Sequence, residues 1–137
     1  MGDIDTTSFK GLAPVYQQGP CDQLHRWERR FIGYAVDAGL HLAFALVIWL
    51  GFATALPDAN LWWQLEVAVA GYALVSYAHR VLFQRRTGTT IGKALVGISV
   101  ISKDTGARPS LLDLNLQWFI GAAAVGAYMA YRLHELI

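Results

Sequence analysis

The chain has 137 residues, of which 55% are hydrophobic and only 15% are charged, and its formal net charge is +1. Soluble domains carry about 25% charged residues, so this composition is typical of a membrane protein and argues against an ordinary soluble one. The near-neutral charge gives no general attraction to nucleic acid, and we expect no nucleic-acid partner. The single cysteine, Cys21, excludes an internal disulfide. The length predicts one domain.

Residues 1–28 are predicted to form a cytoplasmic leader without regular structure. The leader is polar, and glycine or proline interrupts it at Gly11, Pro14, Gly19 and Pro20. At its end, residues 22–30 are expected to form a short helix capped by Asp22, which lies with Trp27 along the lipid head groups. No basic stretch precedes an apolar run here, so we expect no cleavable signal peptide.

Three long apolar segments follow, and we interpret them as transmembrane helices over about 31–56, 61–83 and 111–135. A helix needs about 20 apolar residues to cross a hydrocarbon core of about 30 Å, and each segment is long enough. Trp62 and Trp63 begin the second span, as aromatic residues do at a membrane boundary. The predicted fold class is therefore all-α, with residues 29–137 forming one membrane domain.

An ordered, glycine-rich cytoplasmic loop, residues 84–110, is predicted between the second and third spans. Three glycines flank a short amphipathic turn or helix in it: Gly88, Gly92 and Gly97. Residues 98–102 then form a short β-like run, and a turn follows. Ser110 is expected to cap the third helix, with Asp113 at the third helical position.

The distribution of basic residues predicts the orientation of the chain. Ten of the eleven lysines and arginines precede the first span, lie in the last turn of the second (Arg80) or lie between the second and third, and only Arg132 falls on the other side. Positive residues stay on the cytoplasmic side, so we expect a cytoplasmic N-terminus and an outside C-terminus. The protein is expected to be a multi-pass protein of the inner (plasma) membrane, surrounded by lipid, and its basic loop is a candidate site for anionic lipid.

A polar stripe crosses the first span at Arg30, Tyr34, Asp37 and His41. Its spacings of 4, 3 and 4 place all four side chains on one helical face. Ionisable groups are costly inside a bilayer, so this face must meet protein, water or a ligand. Two interpretations stay open: a proton or cation relay, and a structural pairing with a neighbouring helix or the loop. The candidate partners are His79, Arg80 and Lys93.

Other polar residues are weaker candidates for a site. Glu66 lies near the start of the second span and is expected to reach the membrane surface. The four histidines are not spaced three or four residues apart, so no metal site is expected. No serine–histidine–aspartate order or pair of catalytic carboxylates stands out. The protein is therefore predicted not to be an enzyme and to hold no cofactor.

Three segments together resemble the RDD family of small bacterial membrane proteins. The family's opening motif is similar to Arg29-Arg30-x-x-Gly33-Tyr34-x-Val36-Asp37. Its loop signature is similar to Gly88-x-Thr90-x-Gly92-Lys93-x-Leu95-x-Gly97-Ile98-x-Val100-Ile101, and the turn that follows to Lys103-Asp104-x-Gly106-x-Arg108-Pro109. The resemblance implies that Arg30 is the family arginine and that Asp37 and Asp104 are its two aspartates. It implies a multi-span membrane domain, in a family where transport is suspected and no reaction is established.

The third span carries a face of small residues suited to close helix packing, formed by Gly121, Ala122, Gly126 and Ala130. Three helices are too few to enclose a pathway and shield it from lipid. We therefore expect a non-enzymatic accessory, assembly or stabilising subunit of a larger membrane protein complex. The alternative is a homo-oligomeric transporter of ions or small solutes that uses Asp37 and His41.

Overall fold

The computed structural model describes residues 3–4 and 11–134, and this part of the chain is mostly helical. The helices are α1 (Arg26–Ala55), α2 (Leu61–Tyr77), α3 (Gln84–Thr87), α4 (Ile91–Leu95) and α5 (Leu111–His134), and a π-helical segment (Ala78–Phe83) joins α2 to α3. The strands are β1 (Asp3–Ile4), β2 (Leu12–Tyr16) and β3 (Ile98–Ser102).

Helices lie at all three positions where spans are predicted. α1 covers the first, α2 with the π segment covers the second, and α5 covers the third. Among the described helices, α1 alone has both the length and the apolar composition that crossing a membrane requires. The structure therefore supports one membrane helix directly, and the count of three spans stays a prediction.

α1 and α2 are joined by a short turn and pack closely against each other. Asn60 caps α2, because its side-chain oxygen accepts the backbone N–H of Trp63 at 3.0 Å. Farther along α2, Gly71 lies against Ile48 of α1, and a Cβ at Gly71 would stand only 3.0 Å from the Ile48 Cδ1. A small residue at this position therefore lets the two helices approach each other closely.

The three strands form one antiparallel sheet in the order β1-β2-β3. Leu12 pairs with Ser102 and Tyr16 pairs with Ile98, so the leader is bonded to the loop. The prediction of an irregular leader is therefore wrong, and the mostly helical fold also contains this small sheet. β2 is five residues long and contains Pro14, so it shows no readable strand periodicity, and it is a strand because β3 supplies backbone partners. The β-like run predicted in the loop is confirmed as β3.

The start of α1 also differs from its prediction. α1 begins at Arg26 and runs unbroken into the apolar segment, so the separate short helix expected over 22–30 is not formed. Asp22 caps no helix, because its Oδ1 accepts the N–H of Gly19 at 2.9 Å and closes the preceding turn. Glu28 stabilises the first turn of α1 instead, accepting the backbone N–H of His25 at 2.9 Å.

A buried apolar core joins the sheet to the π segment and α5, and its members are Leu12, Val81, Val100 and Leu114. Trp118 packs against this core and donates its indole N–H to the Ser76 hydroxyl at 3.2 Å. The predicted cap of α5 is confirmed, since the Ser110 hydroxyl accepts the N–H of Asp113 at 3.1 Å. The beginning of α5 is therefore held firmly against the rest of the chain.

Candidate functional site

The buried stripe of α1 is offset from the predicted one. Every fourth residue is buried, and the stripe consists of Arg29, Gly33, Asp37, His41 and Ala45. Asp37 and His41 belong to it, whereas Arg30 and Tyr34 do not. The reason is geometrical: successive residues on a helix are about 100° apart, so each of these two lies one residue around from the buried stripe.

Arg30 and Tyr34 lie at the edge of the site. The Arg30 Nε donates to the hydroxyl of Tyr16 in β2 at 2.5 Å. The Tyr34 ring is 53% exposed, and the Arg80 guanidinium lies 4.6 Å from its centroid. Arg80 therefore forms a cation–π contact with Tyr34, and neither residue is a hydrogen-bond partner of Asp37.

The Asp37 carboxylate is 1% exposed and is bonded to the loop. Its Oδ2 accepts the Thr90 hydroxyl at 2.6 Å, and its Oδ1 accepts the backbone N–H of Gly92 at 2.8 Å. Of the predicted partners, His79 lies nearest, with its Nδ1 3.8 Å from Oδ1. We call Asp37, His41, His79, Thr90 and Gly92 the Asp37 cluster.

Two glycines bring the loop close enough to reach Asp37. A Cβ on Gly92 would stand 2.0 Å from the Gly33 carbonyl oxygen and 2.9 Å from the Asp37 Oδ1. A Cβ on Gly33 would stand 3.2 Å from the Gly92 carbonyl oxygen and 3.1 Å from Val96. α4 and α1 therefore cross with backbone against backbone, which only glycine permits at Gly92.

The two histidines form a hydrogen-bonded chain whose direction follows from the backbone. The N–H of Ile91 donates to the His79 Nε2 at 3.1 Å, so that nitrogen carries no proton. The His79 proton is then on Nδ1, which lies 2.9 Å from the His41 Nε2 and donates to it. This places the His41 proton on Nδ1, a buried atom with no hydrogen-bond partner in the part of the chain that the structure describes.

Lys93 lies beside the cluster and does not bond to Asp37. Its Nζ donates to the Gln84 Oε1 at 3.3 Å. Burial, together with the Arg80 charge, lowers the pKa of Lys93 from 10.5 to about 8, and the Asp37 charge opposes this shift. Besides Arg80, the loop therefore brings the Lys93 cation near Asp37. The hydrogen bonds to the carboxylate nevertheless come from neutral groups.

Sequence reasoning missed Arg29, which is 5% exposed and links three parts of the chain. Its Nε donates to the Val96 carbonyl at 2.8 Å, and its Nη2 donates to the carbonyls of Gln17 and Gly97 at 2.9 and 3.0 Å. Gly97 has φ +67, and a Cβ there would stand 2.6 Å from the Arg29 Nη2. Counting back from Asp37 in steps of four residues would have selected this arginine.

We expect Arg29→Gln to lower the free energy of unfolding by about 2–4 kcal/mol, because the buried carbonyls lose charged donors. Thermal unfolding in mild detergent measures this loss. Hydrogen exchange at the Gln17 amide, which bonds to the Gly97 carbonyl, reports release of the leader. Arg85→Gln is the matched control, since it removes the same charge from an exposed side chain. Equal effects of the two substitutions would contradict this role for Arg29.

The remaining predicted residues lie away from the Asp37 cluster. Asp104 is exposed in the turn after β3, and Glu66 is exposed on α2. Gly121, Ala122 and Gly126 are exposed on α5, and a Cβ on either glycine would meet no described atom within 4 Å. The side chain of Ala130 lies outside what the structure describes, so the fourth member of that predicted face is not placed.

An apolar helix long enough to cross a membrane, with a buried stripe of mainly polar residues bonded to the loop, is typical of a small membrane protein in contact with lipid. The family comparison agrees with this class: the model of the RDD family matches residues 25–132. The chain belongs to the RDD family. No curated protein and no solved structure matches the chain.

Proposed function

We propose that the protein is a non-enzymatic accessory subunit that assembles with or stabilises a larger complex of the inner membrane. In this proposal it crosses the membrane three times, with its N-terminus and loop in the cytoplasm and its C-terminus outside. The distribution of the basic residues supports that orientation. α5, which is the predicted third span, is the element that binds the partner protein.

The observation that carries the proposal is the change in packing along α5. Up to Trp118, α5 is packed against the core, the π segment and Ser76. From 119 to 129 every residue is exposed, and a Cβ added at Gly121 or Gly126 would meet no other described part of the chain within 4 Å. Membrane helices associate through small residues that let their backbones approach closely. An outer half of α5 that is rich in glycine and alanine and unused within the chain is therefore suited to another helix.

The Asp37 cluster supports a fixed structure more than a conducting one. Both carboxylate oxygens of Asp37 accept hydrogen bonds, and the Gly92 backbone covers the group. A moving proton or cation requires groups that exchange partners, and these donors lie on a loop that is itself fixed by Arg29. In the proposed function, the cluster positions the cytoplasmic loop while α5 binds the partner.

The test is gentle detergent extraction from native membranes, followed by mass spectrometry of the intact assembly. We expect a hetero-complex of fixed stoichiometry, and the double variant Gly121→Leu with Gly126→Leu should lose the partner while remaining folded. Gly39→Leu is the matched control, because Gly39 is also exposed in a helix with no atom within 4 Å of an added Cβ. A pure homo-oligomer, or a partner retained by the double variant, would overturn the proposal.

A second candidate, a homo-oligomeric transporter that uses Asp37 and His41, has one observation in its favour. The unpartnered Nδ1 of His41 ends a directed chain of hydrogen bonds from the loop through His79. A subunit that supplied an acceptor at this atom would extend the chain. This candidate predicts flux in proteoliposomes that Asp37→Asn abolishes, whereas the accessory role predicts no flux from the isolated protein.

A further inference from the structure

A groove that borders the Asp37 cluster lies between the end of the π segment and α4. Its volume is about 340 Å³, within the range of small-molecule pockets, which runs from about 300 to 1,000 Å³. Aliphatic and aromatic side chains line it together with the threonines of the loop: Phe83, Thr87, Thr89, Thr90, Ile91, Ala94 and Leu95. Thr90 is the residue that the groove shares with the Asp37 cluster, and its hydroxyl donates to the Asp37 Oδ2. Phe83, Ile91 and Leu95 are each at least 42% exposed, so the groove is open at the surface.

The wall of the groove is almost wholly apolar because the threonine hydroxyls are bonded to the backbone. The Thr87 hydroxyl lies 3.0 Å from the Phe83 carbonyl and 2.7 Å from the Thr89 carbonyl. The Thr89 hydroxyl donates to the Ile98 carbonyl at 2.7 Å. With these hydroxyls satisfied, the groove offers hydrocarbon surface and no free hydrogen-bonding group from Thr87 or Thr89.

Three arginines are neighbours of the lining residues, through the chain or through a hydrogen bond. Arg85 and Arg86 stand in the chain between two of its lining residues, Phe83 and Thr87. Arg108 is held beside them, because its Nη1 donates to the Arg86 carbonyl. Within the described residues, no carboxylate pairs with any of the three. No described carboxylate therefore neutralises their charge, which stays available to an anion.

We propose that this groove is a specific site for an anionic phospholipid, with an acyl chain in the groove and the phosphate bound by Arg86 and Arg108. Arginine binds phosphate through paired N–H donors, and the adjoining hydrocarbon surface gives a lipid an advantage over free phosphate. Leu82 and Phe83 are exposed at the end of the π segment, and in this proposal they lie beside the acyl chains of the bilayer. The site requires that the π segment end at the bilayer surface. It does not require a partner subunit, so it can exist even if the protein is not an accessory subunit.

The test titrates the delipidated, full-length protein with phosphatidylglycerol or phosphatidylcholine and counts retained lipids by native mass spectrometry. We expect phosphatidylglycerol to bind at least about tenfold more tightly. Each basic residue near a membrane surface contributes about 1 kcal/mol, so Arg86→Gln and Arg108→Gln should each weaken binding about fivefold. Arg26→Gln is the matched control: it removes the same charge from an exposed residue that does not line the groove, and it should leave retention unchanged.

A second pair of variants distinguishes lipid retention by the groove from lipid retention by the positive charge of the surface alone. Ala94→Trp fills the groove while every arginine remains, and it should abolish retention, whereas Ala123→Trp on exposed α5 should not. If Ala94→Trp does not fold, Leu95→Asn at an exposed position tests the same wall. The proposal is overturned by equal retention of the two lipids, by equal effects of Arg26→Gln and Arg86→Gln, by retention in the groove variants, or by displacement of the lipid with inorganic phosphate.

Discussion

Asp37→Ala should lower the free energy of unfolding by about 3 kcal/mol or more. The substitution removes the acceptor for two buried donors, the Thr90 hydroxyl and the Gly92 N–H. Each buried donor left without a partner costs about 1–3 kcal/mol, and a charged acceptor raises that cost. It also removes the side chain of α1 that bonds to both the N-cap residue and the first turn of α4. We therefore expect the loop to detach from α1 before the helices separate.

Thermal unfolding in mild detergent and hydrogen exchange at the Gly92 amide measure the two parts of this expectation. Asp37→Asn should be intermediate, because it keeps an acceptor for Gly92 and places an amide donor opposite the Thr90 hydroxyl. Glu66→Ala is the matched control, since it removes a carboxylate that is exposed on α2. A loss in Glu66→Ala equal to that in Asp37→Ala would show that the hydrogen bonds of Asp37 contribute nothing to the fold.

Gly92→Ala should be similarly damaging, at about 3 kcal/mol or more, although it adds a single methyl group. The new Cβ would stand 2.0 Å from the Gly33 carbonyl oxygen, a backbone atom that cannot rotate away. α4 would have to move away from α1, and the bond from the Gly92 N–H to Asp37 would be lost. Overpacking costs about 1–3 kcal/mol, and a lost hydrogen bond to a charged group adds about 1.5–3 kcal/mol.

Gly39→Ala provides the control for this substitution within α1. An added Cβ at Gly39 meets no described atom within 4 Å, and alanine favours a helix over glycine by about 0.5–1 kcal/mol. Gly39→Ala should therefore keep or raise the unfolding temperature, and Gly92→Ala should lower it. Faster tryptic cleavage at Lys93 in Gly92→Ala would report the detached loop. Unchanged cleavage and stability would disprove the backbone crossing of Gly33 and Gly92.

The positions of the helices could be predicted from the sequence because long apolar runs and caps are local signals. The Ser110 cap is an example, since its partner Asp113 is three residues away. The buried stripe of α1 was placed less well. Residues spaced 4, 3 and 4 apart and residues spaced 4, 4 and 4 apart both fit one helical face. Whether Arg30 or Arg29 belongs to the buried stripe depends on which backbone carbonyls the loop places beside the helix.

The sheet and the partners of Asp37 could not be predicted, because both depend on contacts between distant parts of the chain. β2 is a strand because it pairs with residues more than eighty positions away. Pro14 argues against a strand when only the neighbouring residues are considered. The groups that bond to Asp37 are a hydroxyl and a backbone amide, whereas charge matching favoured His79, Arg80 and Lys93. A backbone N–H is carried by nearly every residue, so no residue type marks it in a sequence.

The pairing of β2 with β3 has a consequence for the path of the chain through a membrane. Backbone hydrogen bonds join only segments in the same compartment, so the chain between Tyr16 and Ile98 must cross the bilayer an even number of times. If α1 crosses, α2 with the π segment must return, whatever their own hydropathy. A chain that inserted with one crossing in this interval would leave β2 and β3 on opposite sides of the membrane. The sheet can therefore form only when the chain has inserted with an even number of crossings between β2 and β3.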